Sequence, residues 1–333
     1  MKIVIDNKIP FIEGRIPGIE IQALPAGEIC RETVIDADAL MVRTRTRCDA
    51  SLLEGSNVKI VATATIGLDH IDIPWCESHG IMVRNAPGCN APGVAVYVWS
   101  TLLRNGFNPS TSTIGVIGCG NVGGIVAQWG KRLGANVLVC DPLRAKAGYT
   151  DHEYLPIEEV MAKSDAITLH TPLTHNGDYP TFHMINAETL KHLKSGAIFV
   201  NAARGEVAET HALKEAIKSG LISKAIIDTW ENEPNIDPTL LNLAEVATCH
   251  IAGYSVEGKQ RATRMALKAV SDCLGIPVDT SGLQGPYAEP QHITPDLIME
   301  KFDPSSLTAA LKSEGPTSFE SLRNSYPLHM ELQ

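Results

Sequence analysis

The chain has 333 residues, 44% of them hydrophobic and 20% charged, with a formal net charge of −10. That length and apolar content suffice for two or three buried cores, and the acidic balance argues against nucleic acid or an anionic membrane as partner. No apolar run approaches the length of a membrane-spanning helix. The eight cysteines show neither a CxxC pair nor zinc spacing, which points to a cytoplasmic protein with reduced thiols and no metal site.

In chain order, short apolar runs at residues 2–6, 39–43, 59–63 and 81–84 predict buried strands. Residues 49–53 and 74–79 predict helices between them, with Gly80 as a C-terminal stop. This is a small α/β unit of its own. A long apolar helix is predicted over 91–103, where Pro92 and Gly93 suit only the first turn. From residue 113 the βα alternation becomes regular, with strands predicted at 113–117, 136–140, 166–171, 197–201, 224–228 and 246–249. Helices are predicted at 121–133, 157–163, 187–192 and 209–219, so the pattern is that of a parallel sheet covered on both faces. A further helix follows Gly258 and runs to about residue 273, and the Pro-, Ser- and Gly-rich tail carries helical pieces near 304–311 and 318–323. That tail is too small to build a core alone and is expected to dock on the body or on a partner subunit.

Gly118-Cys119-Gly120-Asn121-Val122-Gly123 lies between the predicted strand 113–117 and helix 121–133. In that setting Gly118, Gly120 and Gly123 match the dinucleotide fingerprint: a tight turn, a close approach to pyrophosphate, and close helix–strand packing. The helix N-terminus then faces the phosphates. Asp141 ends the next strand, where a carboxylate accepts from a ribose 2′-hydroxyl and disfavours a 2′-phosphate; this selects NAD over NADP, with nearby Arg144 the one feature on the other side.

Polar residues cluster at predicted strand ends: Asp141, Thr171, Arg204, Asp228 and His250. A nicotinamide enzyme needs an acid/base, a cation for a carboxylate, and a group that orients the base. His250 suits the first role, Arg204 the second through its guanidinium fork, and Glu233 the third by fixing the histidine tautomer. Alone, a histidine is more often structural, and spacing does not separate Glu233 from Glu231. Arg43, Arg45 and Arg47 alternate with Thr44 and Thr46 and share a face if extended, either as an anion site or as a solvated edge. The stretch 63–67 offers hydroxyls and backbone N–H groups after a strand.

These motifs, in this order, resemble the D-isomer-specific 2-hydroxyacid dehydrogenases over about residues 1–275. The likeness is carried by the fingerprint, His170-Thr171-Pro172-Leu173, Asn201-Ala202-Ala203-Arg204-Gly205, and Asp228 through Pro234. Three further stretches, 86–91, 177–183 and 250–259, single out a subgroup that acts on a phosphorylated substrate. The resemblance implies a Rossmann-type doubly wound parallel sheet, a smaller flavodoxin-like α/β lid domain, and a short C-terminal dimerisation segment. It divides the chain into a lid segment 1–90, an NAD-binding domain 91–252, a return segment 253–279 and a dimerisation segment 280–333. It implies His250 as acid/base, Glu233 as its support and Arg204 as the substrate clamp. Asn121, Val122, Asp141, Thr171, Ala202, Ala203, Asp228 and Gly253 would surround NAD, and Thr44, Thr65 and Tyr254 would contact substrate. The implied reaction is hydride transfer from C2 of a phosphorylated 2-hydroxy acid to NAD, in a cytoplasmic homodimer. The alternatives are a sister enzyme for phosphoglycerate, glyoxylate or hydroxypyruvate, and a non-catalytic NAD-sensing protein. Two positions depart from the pattern: Val96 stands where relatives often carry a glutamate, and Gly124 where they carry a larger residue.

Overall fold

The computed structural model describes residues 1–332. The chain forms two compact units, one of Met1–Asn90 with Ser255–Ala288, the other of Ala91–Tyr254 with Glu289 onward.

The first unit holds a parallel sheet of β1 (Lys2–Asp6), β2 (Glu20–Leu24), β3 (Ala39–Val42), β4 (Ile60–Thr63) and β5 (Met82–Arg84). Its strand order, β2-β1-β3-β4-β5, is that of flavodoxin-like sheets. Successive side chains of a strand face opposite ways, and each face has its own core. Ile3, Ile5, Met41 and Ile60 pack under Leu267 and Val270 of the helix Val256–Leu274, while Val4, Leu40 and Val61 pack with Leu52, Leu53 and Cys76. The helix Val256–Leu274 begins ahead of the position expected from sequence because the Ser255 hydroxyl caps it, accepting from the Gly258 amide at 3.1 Å. β2 lacks a predicted counterpart. It is an edge strand with no fully buried residue, so it carries no apolar run to read.

The second unit holds β6 (Thr113–Ile117), β7 (Asn136–Cys140), β8 (Ala166–Leu169), β9 (Ala197–Asn201), β10 (Ile222–Ile227) and β11 (Val246–Ala247). All pairs are parallel, in the order β11-β10-β9-β8-β6-β7. Beyond β7, Tyr154 makes a single parallel bridge to Val139, a remnant of the third strand of a mononucleotide half. The order reverses between β6 and β8, which is where such sheets bind ligands, at the carboxyl ends of the strands. β8 and β11 are shorter than the predicted runs because their last residues leave the ladder to enter the loops that carry Thr171 and His250.

From Glu289 onward the tail is part of this second unit, while residues 280–288 belong to the first. Its helices are Pro295–Lys301, Ser305–Glu314 and Phe319–Ser325, of which the first is absent from the sequence-based expectation. Ile298, Leu311 and Phe319 are fully buried, and the Ser100 hydroxyl donates to the Phe302 carbonyl at 2.6 Å. Val96 is fully buried in the helix Ala91–Arg104, so the apolar replacement is accommodated as core. Among the described residues no helix is long and apolar enough to cross a membrane.

Candidate active site

The three fingerprint glycines have distinct roles. Gly118 has a left-handed φ of +86°, and a Cβ there would lie 2.8 Å from the His170 carbonyl group at the end of β8. At Gly123 a Cβ would come within 1.9 Å of the Gly118 carbonyl oxygen, so only glycine lets the helix start against the strand. A Cβ at Gly120 would meet nothing within 4 Å, leaving open space over the helix N-terminus. Gly120 is also the N-cap and brings no side chain to the first N–H groups of Asn121–Leu133, which stay available to an anion.

Asp141 ties this loop to the end of β7. One carboxylate oxygen accepts from the Cys119 amide at 2.8 Å and the other from the Arg144 amide at 3.0 Å. A carboxylate has further lone pairs for a ribose hydroxyl. Arg144 is engaged elsewhere, donating to the Tyr154 hydroxyl at 2.8 Å and to Asp151 at 2.9 Å, with its guanidinium 3.9 Å from the Tyr149 ring centre. Among the described residues the buried Thr171 hydroxyl finds no hydrogen-bond partner. An orphaned polar group at the strand-order reversal, an open glycine and an uncapped helix together fit a dinucleotide.

The loops after β9, β10 and β11 converge. His250 Nδ1 lies 2.8 Å from Glu233 Oε2, and Glu233 Oε1 accepts from the Trp230 amide at 2.9 Å. Burial pushes the Glu233 carboxyl up, but the His250 charge and hydrogen bond, the Trp230 amide and the Arg323 charge together hold it below its ordinary value. With Nδ1 on the carboxylate, Nε2 is the ring nitrogen turned away from Glu233. His250 itself has φ +56°, a left-handed conformation that costs about 1–3 kcal/mol for a residue with a Cβ. Asp228 holds it there. The Asp228 carbonyl accepts from the His250 amide at 2.8 Å, and its carboxylate accepts from the Ile251 and Ala252 amides and the Thr248 hydroxyl at 2.8, 2.9 and 2.6 Å. Burial raises the Asp228 carboxyl despite those donors. Asp228 thus organises the turn that aims His250, a role its strand-end position alone does not reveal.

Arg204 stands at the mouth of the loop after β9, where Asn201 spans the turn by accepting from the Ala203 amide at 3.1 Å and donating to the Arg204 carbonyl at 3.0 Å. A Cβ on Gly205 would fall 1.9 Å from the Trp230 carbonyl carbon. The Arg204 loop therefore lies directly against the backbone of the loop that carries Glu233.

Sequence spacing did not separate Glu231 from Glu233; the fold does. Glu231 turns the other way, with Oε1 2.6 Å from His183 Nε2 and Oε2 accepting from the Thr210 amide at 2.8 Å. His183 is the functional-looking residue not singled out for a role, although its place in the stretch 177–183 was a usable signal. Tyr254 closes the second unit, its hydroxyl accepting from Arg323 Nε at 3.1 Å.

Thr44 and Thr65 lie in the first unit, in the loops after the adjacent strands β3 and β4. The Thr65 hydroxyl is 2.6 Å from that of Thr63. The arginine strip is not extended: residues 44–46 form a turn and bend, Arg43 donates to the Lys8 carbonyl at 3.0 Å, and Arg47 pairs with Asp49 at 2.7 Å. The shared face expected from alternation is lost because the chain turns as soon as β3 ends.

Residues 94–252 match the family described as D-isomer specific 2-hydroxyacid dehydrogenase, NAD binding domain. Erythronate-4-phosphate dehydrogenase of Bacteroides fragilis is 43% identical over 99% of this chain and 97% of that protein. The enzyme of the same name from Porphyromonas gingivalis is 38% identical over 100% of this chain and 94% of its own. The chain belongs to the erythronate-4-phosphate dehydrogenase family. Among solved structures, the NAD-bound 3-phosphoglycerate dehydrogenase of Entamoeba histolytica superposes with a TM-score of 0.69 at 27% identity, covering 83% of this chain and 95% of its own. The D-lactate dehydrogenase of Aquifex aeolicus gives the same TM-score at 23% identity, covering 82% of this chain and 95% of its own, and shares the fold. Members of the family are NAD-dependent dehydrogenases, and the chain carries their NAD-binding domain.

Proposed function

We propose that this chain oxidises 4-phospho-D-erythronate to (R)-3-hydroxy-2-oxo-4-phosphobutanoate, a step of pyridoxal 5′-phosphate biosynthesis, in the cytoplasm. The observation that carries the reading is the His250–Glu233 pair, 2.8 Å apart, at the carboxyl edge of a sheet whose fingerprint fits NAD. NAD, when bound, accepts the hydride from C2. His250 Nε2 takes the proton of the C2 hydroxyl as the carbonyl forms, and Glu233 stabilises the imidazolium and keeps its ring oriented. Arg204 holds the substrate carboxylate with parallel N–H donors. Thr44, Thr65 and Tyr254 contact the substrate. Gly118, Gly120, Asn121, Val122 and Gly123 cradle the cofactor, with Asp141, Thr171, Ala202, Ala203, Asp228 and Gly253 around it.

Absorbance at the NADH band tests this directly, with 4-phosphoerythronate beside 3-phosphoglycerate. Turnover at least tenfold more efficient with 4-phosphoerythronate is expected; preference for 3-phosphoglycerate, glyoxylate or hydroxypyruvate overturns the substrate. Tight NAD binding without turnover of any of them would mark a sensing protein instead. We also propose a homodimer formed through the tail, supported by the exposed apolar side chains of Leu297 and Met330. Sedimentation of a monomer at micromolar concentration would overturn it.

A further inference from the structure

The tail does more than cover the helix Ala91–Arg104. Three of its residues address Tyr254 from different sides. Arg323 Nε donates to the Tyr254 hydroxyl at 3.1 Å, and the guanidinium carbon lies 5.7 Å from that ring's centre. Tyr326 meets the same ring edge-on, with ring centres 6.4 Å apart. The His329 amide donates to the Tyr254 carbonyl at 3.1 Å. Hydroxyl, ring and backbone of one residue are thus all fixed by a segment more than sixty residues downstream in sequence.

The environment of Arg323 is unusual for a residue on a short terminal helix. Its side chain is only 16% exposed, and the carboxylate of Glu320 on the same helix lies 3.9 Å away. The charge also acts on Glu233, where it is one of the influences that keep the carboxyl ionised. Its guanidinium donates a hydrogen bond to a proposed substrate contact, while hydrophobic anchoring of the tail is supplied by Leu311 and Phe319.

We propose that Arg323 is a positioning residue for the reaction: it fixes the hydroxyl of Tyr254, the proposed substrate contact, so that the tail completes the active site.

The proposal rests on the reading of Tyr254 and Glu233 given above, and the wild-type NADH assay tests that reading separately. Arg323→Met, Arg323→Lys, Tyr254→Phe and the double variant Arg323→Met/Tyr254→Phe are compared in kcat and KM across pH, with thermal melting as the check on folding. For Arg323→Met, kcat/KM is expected to fall about tenfold to a hundredfold, the worth of one charge-assisted hydrogen bond. Its acid limb should move to higher pH, because a cation that favours ionised Glu233 is gone. Arg323→Lys should restore the acid limb but only part of kcat/KM. In the Tyr254→Phe background the further loss from Arg323→Met should be several-fold smaller than in wild type. A wild-type kcat/KM in a folded Arg323→Met protein, or fully additive losses in the double variant, would overturn the proposal. If wild type prefers another 2-hydroxy acid, the same comparison is run with that substrate.

Discussion

Two histidine–carboxylate pairs share the loop Trp230–Pro234, and they differ in everything except their chemistry. His250–Glu233 is 2.8 Å and His183–Glu231 is 2.6 Å, and both carboxyls are held below their ordinary value against the opposing pull of burial. Glu233, however, takes its remaining donor from the Trp230 amide of its own loop and lies in the field of Arg323. Glu231 takes its second donor from the Thr210 amide at the start of the helix Thr210–Lys218, while the His183 amide donates to the Glu206 carbonyl at 2.8 Å. One pair points a ring at the sheet's ligand-binding edge; the other fastens the loop to the preceding helix. Among the described residues, three of the four non-glycine positions with left-handed φ, His183, Asn232 and His250, belong to this region, so its backbone conformation is paid for by these contacts. A short contact between histidine and glutamate is therefore not a sign of catalysis; what the ring's other nitrogen faces decides.

The strongest way to break the comparison is His250→Ala, for which kcat should fall by about 10²–10⁴-fold with NAD affinity unchanged by calorimetry. Near-normal turnover would remove His250 from the reaction. Glu233→Gln should lower kcat by about tenfold to a thousandfold, chiefly in kcat, because the ring loses its orientation and its counter-charge in the transition state.

Gly205→Ala probes the contact that the two loops share. A Cβ 1.9 Å from the Trp230 carbonyl carbon must displace backbone, so a loss of about 2–4 kcal/mol in chemical denaturation is expected, with kcat and KM both impaired. A stable, fully active Gly205→Ala enzyme would show that the loops move independently.

The second pair should behave as a fastening. Glu231→Gln is expected to cost about 1–2 kcal/mol of stability, discounted for the partial exposure of His183, and to change kcat by less than about tenfold. A thousandfold loss of kcat with unchanged stability would exchange the roles of the two pairs.

The smallest expected effect is in the pH dependence of stability. A carboxyl with a lowered folded pKa binds fewer protons when folded than when unfolded, so its contribution is present above the ordinary glutamate value of 4.5 and is lost as pH falls through the folded value. Denaturation between pH 6 and pH 3 should therefore show a shallower acid loss in Glu231→Gln than in wild type. An unchanged slope would mean that the pair contributes nothing to the folded state.

Much of this was legible in the residues. Continuous apolar runs marked the strands of both sheets except β2, and the fingerprint glycines, Asp141, Arg204 and His250 stood out by their place at strand ends. The edge strand β2 and the tail helix Pro295–Lys301 were not legible, because neither carries a continuous buried stripe. The choice between Glu231 and Glu233 was equally hidden. Two glutamates separated by one residue in an irregular loop have no periodicity to assign them sides; side-chain direction there depends on left-handed Asn232 between them.

The sequence by itself determined the fold class and the cofactor and brought forward His250 as the candidate acid/base, since glycine geometry, apolar runs and strand-end polarity are local constraints that short segments carry. Tertiary structure alone decided the partners: which glutamate orients His250, that Asp228 holds its strained turn, that Gly205 presses the Arg204 loop onto Trp230, and that Arg323 reaches Tyr254 from the far end of the chain. Those pairings bring together residues from different loops, and no local pattern encodes a distance between segments that only the packed core brings together.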